Sequence, residues 1–167
     1  MNPQKQLAAA TGGRSCDRMG FPSGTVDGYF HRYASTRTSE LGVVEDVASR
    51  IFTPHRLGCL GRSGHVDARL KAARLGAVTV GRLQYGADVE LVHKSEIDAY
   101  HINIPLSGHA ESWCGSDSAV ATPVQAAVFL PERPAGIKWA ADCVQLCVKL
   151  DRAELELEVE DLIGRPV

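Results

Sequence analysis

Apolar and polar positions alternate with period two along Ala99–Glu111. Tyr100, Ile102, Ile104 and Leu106 interleave with Ala99, His101, Asn103 and Pro105. A β-strand sends successive side chains to opposite faces, so one face is apolar and the other carries a histidine and an asparagine. Ser107-Gly108 breaks the run, and His109 to Trp113 returns as a second strand. The neighbouring strands are expected to cover the apolar face of this hairpin.

The same texture recurs on either side. Arg69, Lys71 and Ala73 alternate with Ala68, Leu70 and Ala72 between Asp67 and Arg74. Leu75-Gly76 marks a turn, and the Val/Thr-rich Ala77 to Tyr85 reads as a strand. Gly86-Ala87 breaks it, and Val89 to Val92 resumes. A loop at Gly115-Ser116-Asp117-Ser118 precedes Ala119 to Thr122, and Ala126 to Leu130 follows. Pro131-Glu132-Arg133-Pro134 is a turn, because two prolines interrupt any ladder. Ile137 to Ala140 is short. From Cys143 to Leu150, Val144, Leu146, Val148 and Leu150 alternate with Cys143, Gln145, Cys147 and Lys149. Many short strands with turn signals between them predict a barrel or sandwich.

Helical spacing appears twice. Leu41, Val44, Val47 (or Ala48) and Ile51 recur after Thr38-Ser39-Glu40, where Thr or Ser can cap a helix. Pro54 stops it, and Pro54 to Leu57 reads as a connecting piece. Near the end, Asp151 and Glu154 have capping-box spacing, Leu155, Val159 and Leu162 form an apolar stripe, and Gly164 and Pro166 end the helix. Before the first helix, residues 1–20 read as a mobile arm. Aromatics at Phe21, Tyr29, Phe30 and Tyr33 suggest that the following segment packs down. The organisation expected is an arm (1–20), a mainly β domain with its preceding helix (21–150) and a terminal helix (151–167).

The chain has 167 residues, 44% hydrophobic and 23% charged, which suits one globular domain. Its formal net charge of -2 gives no global reason to bind nucleic acid. Neither a membrane-spanning run nor a secretory pattern is visible, so the expected location is cytoplasmic. Five cysteines (Cys16, Cys59, Cys114, Cys143 and Cys147) at irregular spacing argue against a disulfide framework.

Candidate chemistry is sparse. The histidines are His31, His55, His65, His93, His101 and His109, with no His-x-His pair. The position two after His101 is Asn103, so no metal site is assigned. No nucleophile elbow and no phosphate-cradling glycine loop occur, so no catalytic residue and no cofactor are assigned. Arg69, Lys71, Arg74 and Arg82 read as a solvated strand face. The remaining site is a small-molecule pocket: His101 and Asn103 share a face that Tyr85, Trp113 and Trp139 can approach, giving aromatic walls with a few polar groups. The bland counterpart is a sheet with one wet face.

Several pieces together resemble the effector-binding domain of AraC/XylS-type transcription regulators. They are Arg50–Leu57, Leu75–Val89, Tyr100–Ile102 with Pro105–Gly108, Phe129-Leu130-Pro131, Trp139–Cys143 and Val148–Leu155, spanning roughly residues 38 to 160. The likeness lies in many short pieces in the right order. It implies a cupin-like (double-stranded β-helix or jelly-roll) barrel that binds a small-molecule effector and supports a homodimer. Leu155, Val159 and Leu162 then become dimer contacts, and the arm a lid over ligand. In such regulators two helix-turn-helix units follow, which need ~100 further residues. This chain ends at Val167 in an acidic helix bearing Glu154, Glu156, Glu158, Glu160 and Asp161, so DNA contact is expected only through a domain absent here. The competing expectations are a stand-alone cupin-type metal-dependent dioxygenase or isomerase, and an interaction module without ligand.

Overall fold

The computed structural model describes residues 35–61, 64–93 and 97–167. The arm at 1–20 and the aromatics up to Tyr33 lie outside the described residues. Eleven strands and two helices follow in the order β1 (Ser35–Thr38), α1 (Leu41–Ile51), β2 (His55–Cys59), β3 (Ala68–Leu75), β4 (Val78–Gln84), β5 (Val89–His93), β6 (Ala99–Ser107), β7 (Ala110–Cys114), β8 (Asp117–Ala121), β9 (Ala127–Phe129), β10 (Ala135–Trp139), β11 (Val144–Asp151) and α2 (Arg152–Ile163).

The strands form a six-stranded sheet, β1-β3-β4-β11-β6-β9, and a five-stranded sheet, β2-β5-β10-β7-β8. The described strand pairings are antiparallel. Apart from the β3–β4 and β7–β8 hairpins, consecutive strands alternate between the sheets, and the inner faces share one core of Leu70, Leu83, Tyr85, Val89, Leu91, Phe129, Ile137 and Trp139. The strand pattern predicts a barrel or sandwich and the resemblance a jelly-roll, and two facing antiparallel sheets of this kind are the jelly-roll barrel. Helix α1 buries Val44 and Ala48 against that core.

The orientation of the central strand is the reverse of the expectation. Ala99, His101, Asn103 and Pro105 on β6 are buried, Tyr100, Ile102 and Ile104 are half-buried, and Leu106 is 41% exposed. Strand β11 repeats this, with Gln145 and Cys147 inward and Val144, Leu146 and Val148 outward. Large aromatics from other strands already supply the apolar filling, so these two strands contribute their smaller and more polar sides to the interior. Their apolar sides form the outer face of the six-stranded sheet.

Other corrections are local. Residues His55 to Leu57 belong to strand β2 rather than to a connector, and β2 pairs with β5 so that His55 faces His93. The N-cap of α1 is Glu40, without a side-chain cap bond, and Thr38 Oγ1 instead accepts the Glu40 N–H at 3.1 Å. The loop at 115–118 is shorter, because β8 begins at Asp117. Asp151 is the N-cap of α2 but makes no side-chain cap bond, so the capping-box pair is spaced correctly and not formed.

Helix α2 has no buried residue. Leu155 and Val159 are half-buried, whereas Leu162 is 84% exposed. Polar bonds hold the helix to the barrel. Arg152 pairs with Glu132 of the β9–β10 turn, with Asp98 at 3.6 Å and with Glu156 at 2.9 Å. The Tyr100 hydroxyl donates to Glu156 at 3.2 Å.

Candidate functional site

Between the sheets lies a cavity of about 30 Å³. Four of the five expected pocket residues line it: Tyr85, His101, Asn103 and Trp139. Tyr85, just past the end of β4, continues that strand's inward parity, and inward parity on β6 and β10 brings the others to it. Trp113 is not among the lining residues. It is half-buried on the outward side of β7, covering Gly136, where an added Cβ would lie 2.7 Å from the indole. Strand parity is the reason: Ser112 and Cys114 take the inward positions beside it.

Two further histidines join His101. His55 and His93, directly opposite on β2 and β5, place their ring centroids 6.3 Å apart, and His93 lies 6.1 Å from His101. Sequence reasoning missed both. His93 was legible, since Val89 and Leu91 set the inward parity that it continues. His55 was not, because no apolar alternation announces the short β2.

The hydrogen bonds fix part of the protonation pattern. His55 Nδ1 lies 2.7 Å from the Thr53 carbonyl, which can only accept, so Nδ1 carries a proton. The Thr53 hydroxyl lies 3.3 Å from His93 Nδ1. Burial, reinforced by the neighbouring His55, pushes His93 down to about 4, against an opposing pull from the Pro54 carbonyl. Burial, with His93, Lys149 and His55 adding to it, pushes His101 down to about 3. Both rings are therefore neutral at neutral pH.

Tyr85 packs edge-on against Trp139, centroids 5.0 Å apart, and the Trp139 indole N–H donates to the Cys143 carbonyl at 3.0 Å. Burial raises the Tyr85 phenol and pushes the Cys147 thiol up to about 12. Neither is an acid or a nucleophile at neutral pH. The buried His101 Nε2, Tyr85 hydroxyl and Gln145 Oε1 have no hydrogen-bond partner. Buried polar atoms are normally satisfied, and two of these three orphans, His101 Nε2 and the Tyr85 hydroxyl, belong to residues that line the hollow, which marks it as built for an occupant. Among the described residues, no group of three or more His, Cys, Asp or Glu is arranged to hold a metal ion.

A second, more open cavity of about 410 Å³ lies beside β7, β8 and β9. Phe129 lines both spaces, and Trp113 lines only this outer one of the two.

Comparison with known proteins agrees with this geometry. The family model of the AraC-binding-like domain matches residues 44–166. A probable thc operon regulatory protein of Rhodococcus erythropolis is 33% identical over 124 residues, covering 72% of this chain and 37% of that protein. The crystal structure of the AraC-like transcriptional activator CuxR superposes with a TM-score of 0.61 at 13% identity, covering 80% of this chain and 53% of CuxR. A cupin-2 domain protein of Rhodospirillum rubrum, Rru_A2000, gives a TM-score of 0.43 at 12% identity, over 57% of this chain and 69% of that one. The fold is a cupin-like barrel, and the chain belongs to the AraC-binding-like domain family. It is a regulatory ligand-binding domain, and it spans little more than a third of the length of the regulatory relative. No described helix is long and apolar enough to cross a membrane.

Proposed function

We propose that this domain is the effector sensor of an AraC-type transcription regulator, that it dimerises, and that it does no chemistry of its own. The carrying observation is the internal cavity, where His101 Nε2 and the Tyr85 hydroxyl stand buried without partners between aromatic walls. The neutral His93 and His101 and the raised thiol and phenol leave no poised acid or nucleophile among them. DNA contact belongs to helix-turn-helix units outside this chain, and the cytoplasm is where such a regulator works.

Signalling runs by population shift: an effector that prefers one barrel arrangement changes how α2 is held. Arg152 and Glu156 supply the link, since they tie α2 to Glu132 and Tyr100. Leu155, Val159 and Leu162 present the apolar positions through which α2 meets its twin.

Thermal-shift screening of small metabolites, followed by calorimetry, tests the sensor. A hit should lose at least tenfold in affinity in His101→Phe. Light scattering should give a dimer that Leu162→Asp weakens. A ligand-silent monomer overturns the reading. So does stoichiometric iron, manganese or zinc held by the cavity histidines, which would favour a metal-dependent enzyme.

A further inference from the structure

The interior carries a statement about the charge of its occupant. None of the residues lining the inner cavity is Asp, Glu, Lys or Arg. The nearby ions are turned to other partners: Lys149 Nζ donates to the Phe52 carbonyl at 2.8 Å, and Glu45 accepts the Leu57 N–H at 2.8 Å. The outer cavity has a single ionic lining residue, Asp117, which pairs with Arg133 at 3.4 Å. An ionic ligand would be stripped of water with no counter-charge to meet it, which is strongly unfavourable.

The polar atoms that are present favour a hydroxyl. His101 Nε2 is either donor or acceptor according to tautomer, and the Tyr85 hydroxyl is both. A ligand hydroxyl satisfies the two together, because it donates one bond and accepts another. The apolar part of the wall is Phe52, Leu83, Leu91, Phe129, Ile137 and Trp139, half of it aromatic, and Thr53, His55, His93 and Asn103 add further polar groups.

Size supplies the last constraint. A space of about 30 Å³ holds no more than a few waters, whereas a benzene-sized guest needs on the order of 150 Å³. The neighbouring cavity of about 410 Å³ supplies the missing room, and Phe129 is the wall shared by the two. Phe129 sits on β9, a three-residue edge strand, opposite His101 in the β6 ladder.

Resting on the sensor reading above, we propose that the effector is an uncharged molecule with a hydroxyl on a flat apolar body. The hydroxyl binds at His101 and Tyr85. The body occupies the two cavities joined by displacement of the Phe129 ring.

The test is a matched series at pH 7.5: benzyl alcohol, toluene, benzoate and benzylamine. Two tryptophans occur in the chain, so the Trp139 indole N–H resonance, assigned with Trp113→Phe, reports the inner cavity directly. Benzyl alcohol should shift that resonance saturably and bind at least tenfold tighter than either ion. Tyr85→Phe and His101→Phe should each bring benzyl alcohol towards toluene, and Phe129→Ala should tighten both neutral ligands several-fold. The ligand series in the unaltered protein stands even if a variant fails to fold. Benzoate or benzylamine binding as tightly as the alcohol, on the same resonance, overturns the inference while leaving a sensor for charged effectors intact. Silence towards all four, in the unaltered protein and in Phe129→Ala, overturns both.

Discussion

His93 and His101 couple the fold to pH. Their folded values, about 4 and about 3, lie below the ordinary 6.5. Between those limits the unfolded chain binds protons that the folded one refuses. Stability is therefore complete above about pH 6.5 and falls as the pH drops, with each ring contributing a slope approaching about 1.4 kcal/mol per unit. Urea midpoints between pH 7 and 4.5 should show this decline, and His101→Gln should flatten it. Gly108 is a second sensitive position. Its φ is +65°, and an added Cβ would lie 2.7 Å from the Cys143 Cα. Gly108→Ala should cost about 1–3 kcal/mol in chemical denaturation. Strand parity, which is local information, put His101 and Asn103 on one face, whereas the inward sense that makes Tyr85, His101, Asn103 and Trp139 cavity residues came from closure. The place of Trp113 was not legible either, because its inward or outward sense depends on which sheet β7 joins.

At the level of elements, α2 depends on polar bonds more than on burial. With Leu155 and Val159 only half-buried, Arg152 is its main fastening. Arg152→Ala should speed amide exchange and proteolysis across Arg152–Ile163 while leaving the barrel's thermal midpoint little changed. A matched fall in barrel stability would show instead that α2 is an integral part of the core. The helices were readable from their spacing, and their ends less so, since the capping residues at Glu40 and Asp151 make no side-chain bond. Strand β2 was missed because five residues, two of them His and Arg, carry too little periodicity to compete with the proline before them.

For the whole molecule, stability rests on one core shared by both sheets. Leu70, 1% exposed on β3, packs into it. Leu70→Ala should cost about 2–5 kcal/mol, read as a lowered urea midpoint with an unchanged slope. The barrel also displays the apolar sides of β6 and β11 outwards, with Val128 of the adjoining β9 55% exposed. On pattern alone, neighbouring strands are expected to cover the apolar face of β6, whereas its residues Tyr100, Ile102 and Ile104 are half-buried and Leu106 is exposed.

What the sequence determined by itself is local. The period-two runs place strands, and Gly76, Gly86, Gly108 and Gly115, all with positive φ, mark breaks between them. Alternation divides each strand into two faces without saying which one looks inward. Closure made that choice. Once Tyr85, Phe129 and Trp139 fill the space between the sheets, His101, Asn103, Gln145 and Cys147 complete the interior. The meeting of His55, His93 and His101 arises from contacts distant in sequence, which no single stretch of chain encodes.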